Sequence, residues 1–259
     1  MFSTIFWCVI ICFLFCLPSI IYLVGSPRFV EYDLPDNTQK VYDELLKAVL
    51  PSEMFQGDKL MTKDGQEWEA PRNANFNWRG ILYKLLSFGA AEGAYFPDFT
   101  KDLDAFISRQ GLSSDTKHKA STSLSDAGSN KKRGLAVFDP SRDDIIAHEG
   151  WHDVQSYLLQ NYPDISSKLE TAVLNRKAAI SDFISNTKGL GYSAERVFAS
   201  EFPDHDDENV KQLLSSQMRG ESVPMMLQSY KSSKNKQAQD LLSEIFAEAG
   251  LNPEFFKHF

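Results

Sequence analysis

Cysteine is missing from residue 17 onward. The three cysteines, Cys8, Cys12 and Cys16, all lie in the apolar stretch at the start of the chain. The remainder can therefore form no internal disulfide and can offer no thiolate to a metal ion. Any metal held there needs histidine, aspartate or glutamate ligands.

Excess positive charge is also missing. The formal net charge is −8, and the clearest basic cluster is Lys131, Lys132 and Arg133. Phosphate backbones are bound by clustered lysine and arginine, so we predict no nucleic-acid partner. We interpret the short basic cluster as the solvated edge of a loop.

Charged side chains are missing from the first 27 residues, and Arg28 is the first of them. The apolar run Ile5–Val24 has the length that spans a bilayer as a helix. A cleaved signal peptide is the alternative. The chain, however, lacks a positively charged region before the apolar run, and Pro27 directly follows the nearest candidate cleavage site, where proline disfavours cleavage. We favour an uncleaved anchor, with its membrane orientation open. The predicted organisation is an anchor, a linker and one domain, at residues 1–27, 28–38 and 39–259.

Apolar periodicity after the linker is mainly helical. It predicts a mainly helical α+β domain with a small sheet. Polar composition predicts a mobile loop over 113–133, which we expect to flank or cover a cleft. The short apolar run Gly134–Phe138 predicts a strand at the sheet edge. Helices are predicted at residues 39–50, 78–90, 142–159, 164–185, 193–202, 206–218, 221–231 and 236–249, and a further short helix within residues 96–110.

One of these helices carries the pattern H-E-x-x-H, as His148-Glu149-Gly150-Trp151-His152. Histidines four residues apart project from one face of a helix, so both imidazoles can reach one tetrahedral zinc ion. The glutamate beside the first histidine can act on a zinc-bound water as a general base. A preceding turn with Ser141 as the expected N-cap suits the start of this helix.

The two faces of this helix differ in chemistry. One face is apolar, and the opposite face collects the titratable groups together with two apolar residues. The apolar face indicates packing against a core, which leaves the other face for a site. The apolar face holds Ala147, Trp151, Val154 and Leu158, and the other holds Ile145, His148, Glu149, His152, Gln155 and Leu159.

Strand 134–138 followed by Ile145–Gln155 resembles the active-site helix of the zincin metallopeptidases, in the H-E-x-x-H-x-x-Q form of the glutamate-ligand branch, the gluzincins. The resemblance implies a zincin-like domain that binds one Zn²⁺ and hydrolyses peptide bonds of a peptide or protein substrate. It implies His148 and His152 as zinc ligands and Glu149 as the catalytic base. The extension with a third histidine that marks the metzincins is absent.

The same resemblance implies a third ligand, a glutamate from a later helix, and the sequence leaves four candidates. Glu221 is the favoured one, because it lies on a helix with apolar residues on both sides, where ligation would explain a carboxylate. Glu244 has the better local motif but points away from its apolar face. Glu201 and Glu195 follow. Gln155 is expected to contact either the site or solvent.

Two other functions stay open at this stage. The chain can be an inactive membrane-tethered module that binds metal or a partner, or a structural membrane protein in which the motif is a coincidence. Zinc uptake and the effect of Glu149→Gln on turnover separate these from a membrane-anchored zinc metallopeptidase.

Overall fold

The computed structural model describes residues 33–74, 92–98, 133–137, 139–190, 192–199 and 218–259. The predicted anchor, the helices at 78–90 and 206–218, and nearly all of the loop 113–133 lie outside these ranges. Within them, no helix has the length and apolar character needed to cross a bilayer.

The described part is mainly helical, with small sheets, as expected for a mainly helical α+β fold. Its longest helix carries the H-E-x-x-H motif and its last helix matches the predicted 236–249. The helices are α1 (Asp36–Val49), α2 (Asp143–Asn161), α3 (Pro163–Asn175), α4 (Lys177–Asn186), α5 (Ala194–Val197), α6 (Ser222–Ser233) and α7 (Lys236–Ala249).

In the described part of the chain, five short strands form two sheets. Strands β1 (Phe55–Gln56) and β2 (Lys59–Leu60) make an antiparallel hairpin. Strands β3 (Arg72–Asn73), β4 (Gly93–Phe96) and β5 (Gly134–Val137) form a sheet in which β5 is central, parallel to β3 and antiparallel to β4.

The prediction that residues 134–138 form an edge strand was wrong within the described sheet. All four residues of β5 are buried, as is usual for a strand covered on both faces and flanked by two neighbours. The edge position beside α2 belongs to β4, which ends at Phe96. The region 96–110, in which a short helix is predicted, lies outside the described residues from 99 onward.

Several boundaries also differ. Helix α1 begins at Asp36, so residues 36–38 form its first turn and do not belong to a linker. The helix predicted at 164–185 is broken at Arg176, whose guanidinium group bonds both the carbonyl of Ala172 and Glu248 on α7. Ser141 is not the N-cap of α2, because its hydroxyl donates to Asp139 instead.

Helix α2 lies in the middle of the described structure, in contact with α1, α3, α6, β4 and β5. The predicted apolar face is confirmed, since Ala147, Trp151, Val154 and Leu158 are fully buried. The Trp151 ring stacks on Phe246 of α7, with 5.4 Å between ring centroids. On the other face, Leu159 near the helix end is largely exposed.

A buried carboxylate, Asp153, ties α2 to three other segments. It accepts hydrogen bonds from the Tyr42 hydroxyl of α1 at 2.5 Å and from Trp68 Nε1 at 3.0 Å. It also forms an ion pair with Arg133, which precedes β5 and lies over the Trp68 ring. The expectation that Arg133 belongs to a solvated loop edge was wrong, because a buried carboxylate requires a charged partner.

We expect Asp153→Asn to lower the free energy of unfolding by about 3–5 kcal/mol, because the amide leaves the nearly buried Arg133 charge without its counter-ion. Urea unfolding followed by circular dichroism measures this. Asp58→Asn is the matched control, since Asp58 is 90% exposed in its ion pair with Lys47 and should cost less than about 1 kcal/mol. Equal effects of the two changes would contradict the structural role of Asp153.

Candidate metal centre

The two motif histidines are presented by consecutive turns of α2. Their ring centroids are 5.5 Å apart. His148 is buried and His152 is half-buried. The rings are held because the opposite face of α2 is packed into the core, which fixes the rotation of the helix about its axis.

Glu221 immediately precedes α6 and reaches both histidines. Its Oε2 lies 3.2 Å from His148 Nε2, and its Oε1 lies 3.6 Å from His152 Nε2. One potential ligand atom from each of the three residues lies within 4.8 Å of the other two. This group could hold a metal ion, and it includes the glutamate that was favoured from the sequence.

The spacing of these atoms suits a small tetrahedral cation. Zinc bonds of 2.0–2.2 Å to nitrogen and oxygen place neighbouring ligand atoms about 3.3–3.6 Å apart at the tetrahedral angle. The two Glu221 distances, 3.2 Å from Oε2 and 3.6 Å from Oε1, lie at or next to this range, each for a different carboxylate oxygen. Two neutral imidazoles and one carboxylate also form a usual ligand set for catalytic zinc.

The alternative third ligands do not join this group. Glu244 on α7 is 62% exposed and forms an ion pair with Arg176 at 3.0 Å. Glu195 lies in the first turn of α5 and is exposed, where a carboxylate is stabilised by free backbone N–H groups. Glu201 lies outside the described residues.

Glu149 lies against the edge strand β4. Gly93 faces the Glu149 side chain so closely that a Cβ atom there would lie 2.6 Å from Glu149 Cγ. Burial and the charge of Glu221 raise the pKa of Glu149 to about 7, despite the opposing effects of His148 and the Tyr95 N–H.

The pKa values of the other three groups reflect burial and their mutual charges. Burial lowers the pKa of His152 to about 4, a shift that Glu221 only partly offsets. Burial also acts to lower the pKa of His148, but the Glu221 hydrogen bond and the charges of Glu149 and Glu221 raise it overall. Burial acts to raise the pKa of Glu221, and the two histidines lower it overall, which keeps its carboxylate ionised.

Several residues at this site were not predicted from the sequence. The Tyr95 ring stacks beside His152, with 6.4 Å between centroids. Gln228 of α6 contacts His148. Burial raises the pKa of Tyr192, and the charges of Glu221 and Glu149 raise it further, against the effect of Arg196.

The chain was also compared with known proteins. No protein-family model, no curated protein and no solved structure matches it.

We expect Gly93→Ala to displace Glu149, because the new methyl group meets Glu149 Cγ, Ile145 and the backbone oxygen of Ala136. Overpacking of this kind costs about 1–3 kcal/mol. Gly150→Ala is the matched control, since its methyl group meets only two side-chain atoms, Leu45 Cδ2 at 3.2 Å and Tyr42 Cδ2 at 3.3 Å, so that a movement of a few tenths of an ångström relieves the contact. Thermal unfolding should show the larger loss for Gly93→Ala, and the reverse order would contradict the close packing of β4 on Glu149.

The raised pKa of Glu149 also predicts a pH dependence of stability for the metal-free protein. The native state retains the Glu149 proton from pH 4.5, the ordinary value, up to about 7, so its contribution to stability falls as pH rises through this range. The full shift corresponds to a loss on the order of 3 kcal/mol above pH 7.

Glu149→Gln removes this titration, so we expect the variant to gain stability relative to the parent chain as pH rises from 4.5 to 7. His152 has the opposite effect. Burial lowers the pKa of His152 to about 4, so its contribution to the free energy of unfolding falls as pH drops from 6.5 to about 4. The difference between variant and parent in urea unfolding at each pH cancels the His152 contribution and leaves that of Glu149, together with the effect of Glu149 on the pKa of His148. A difference that does not change with pH would contradict the assignment.

Proposed function

We propose that this protein is a zinc-dependent peptidase, anchored to a membrane by residues 1–27. The observation that carries the proposal is the convergence of His148, His152 and Glu221 on one point, with the Glu149 carboxylate on the same face of α2. A zinc ion there would supply Lewis acidity and lower the pKa of a water molecule to near 7.

The ligand residues give the site its charge. Glu221 is ionised and the low pKa of His152 favours the neutral imidazole, which is the form that ligates metal. Together with His148 they offer one negative charge to a divalent cation, so the bound centre keeps a net positive charge. That charge favours polarisation of a carbonyl oxygen.

Glu149 is the proposed general base. Its carboxylate oxygen accepts a proton from the attacking water as the new C–O bond forms at the scissile carbonyl carbon. The same oxygen then donates that proton to the leaving nitrogen as the C–N bond breaks, which yields a carboxylic acid and an amine. A pKa near the operating pH suits a group that must both accept and donate a proton.

The substrate class comes from the chemistry of the motif and from the resemblance of residues 134–155 to the gluzincin active-site helix. Hydrolysis of an amide needs an activated water and a proton donor for the leaving nitrogen, and the proposed metal centre with Glu149 would provide both. The zincin-like domain, the peptide substrate and the membrane anchor are all parts of the proposal.

We expect one zinc per chain for the parent protein and a large loss of zinc for His148→Ala and Glu221→Ala, measured by metal analysis after dialysis. Glu244→Ala is the matched control for Glu221→Ala and should keep its zinc, because Glu244 pairs with Arg176 away from the site. Zinc retention by Glu221→Ala together with loss by Glu244→Ala would contradict the ligand assignment.

Catalysis is tested separately. Glu149→Gln should keep zinc and lose hydrolysis of a quenched fluorescent peptide library by at least about 100-fold, the usual contribution of a general base. If the parent chain binds zinc but cleaves no peptide, the result favours an inactive metal-binding module. If it binds no zinc, the motif is a coincidence.

A further inference from the structure

Helix α6 and the residue before it contact both ring nitrogens of His148. Glu221 Oε2 lies 3.2 Å from Nε2, and Gln228 Oε1 lies 3.0 Å from Nδ1. Seven residues are close to two helical turns, so the two side chains project from the same side of α6. The His148 ring, buried between α2 and α6, is thus held at both ends by one partner helix.

The two contacts have different consequences for a metal ligand. A neutral imidazole carries one N–H, and the nitrogen that binds a metal must be the one without the proton. With Nε2 directed at Glu221 and the site, the proton must stay on Nδ1. An acceptor at Nδ1 favours this tautomer and also restricts rotation of the ring.

We propose that Gln228 is the positioning residue of the metal centre, which holds His148 with its proton on Nδ1 and its Nε2 lone pair towards Glu221 and His152. The inference rests on the proposed function, because it concerns the same centre. Gln228 touches neither substrate nor metal in this assignment and acts only through His148.

The choice of an amide has a physical meaning. A carboxylate at position 228 would accept the same hydrogen bond, but it would add a negative charge beside Glu221 and Glu149, in a region where burial already raises the pKa of Glu149. The Gln228 oxygen orients the ring without that charge.

The test is zinc affinity of the full chain, measured by competition with a chromophoric chelator. We expect Gln228→Leu to weaken zinc binding by about 10–100-fold, the usual effect of removing a hydrogen-bond partner of a metal ligand. Gln228→Glu restores the acceptor and should recover most of this loss. Gln160→Leu is the matched control, since Gln160 is exposed near the end of α2 and its replacement should leave affinity unchanged.

A second readout reports the tautomer directly. In ¹H–¹⁵N spectra of the zinc-loaded protein, the Nδ1 proton of His148 should be visible and protected from exchange in the parent chain and in Gln228→Glu. It should exchange rapidly in Gln228→Leu. A merely structural role for Gln228 would change thermal stability without changing this proton. Gln228→Met, an unbranched substitute, replaces the leucine variant if circular dichroism shows that the latter does not fold.

The outcomes separate this inference from the proposed function. Equal zinc affinity and an unchanged Nδ1 proton in the parent chain and Gln228→Leu would overturn the role of Gln228 and leave the peptidase proposal intact. Zinc binding without peptide cleavage by the parent chain would overturn the peptidase proposal, while the affinity series still decides the role of Gln228. No zinc binding by the parent chain would overturn both.

Discussion

Burial of helix α2 is the constraint on which the described structure depends. The helix lies between α1, α6 and the sheet, yet it carries His148, Glu149, His152 and Asp153. A charge transferred from water into a protein interior is costly unless an opposite charge and hydrogen bonds compensate it. The surrounding segments therefore have to supply a partner for each of these groups.

The partners fall into two clusters on neighbouring residues of the same helix. Asp153 is satisfied by the buried cation of Arg133 and by two neutral donors, so it connects α2 to the rest of the fold. His148 and His152 instead face a single carboxylate, Glu221, which leaves room for a cation among the three. Asp153 is adjacent to His152. The contacts of Asp153 therefore also fix the orientation of α2, and with it the direction in which the two histidines project.

Agreement was best where a prediction depended on the periodicity of one continuous segment, and two errors came from contacts between distant segments. The last helix matches its predicted bounds because its apolar spacing and the Asn235 cap are properties of a continuous segment. Arg133 was assigned to solvent because its partner is twenty residues away. Strand β5 was placed at an edge, since a short apolar run does not reveal how many strands flank it.

The sequence by itself determined that two imidazoles and a carboxylate share one helix face, because a spacing of four residues is geometrically equivalent to one turn. It left the choice among Glu221, Glu244, Glu201 and Glu195 open. Only the packing of α6 on α2 brought Glu221 and Gln228 to His148, and only the packing of α7 on α3 brought Glu244 to Arg176. These contacts join residues more than sixty positions apart, and such proximity is set by the three-dimensional arrangement of helices rather than by any local pattern.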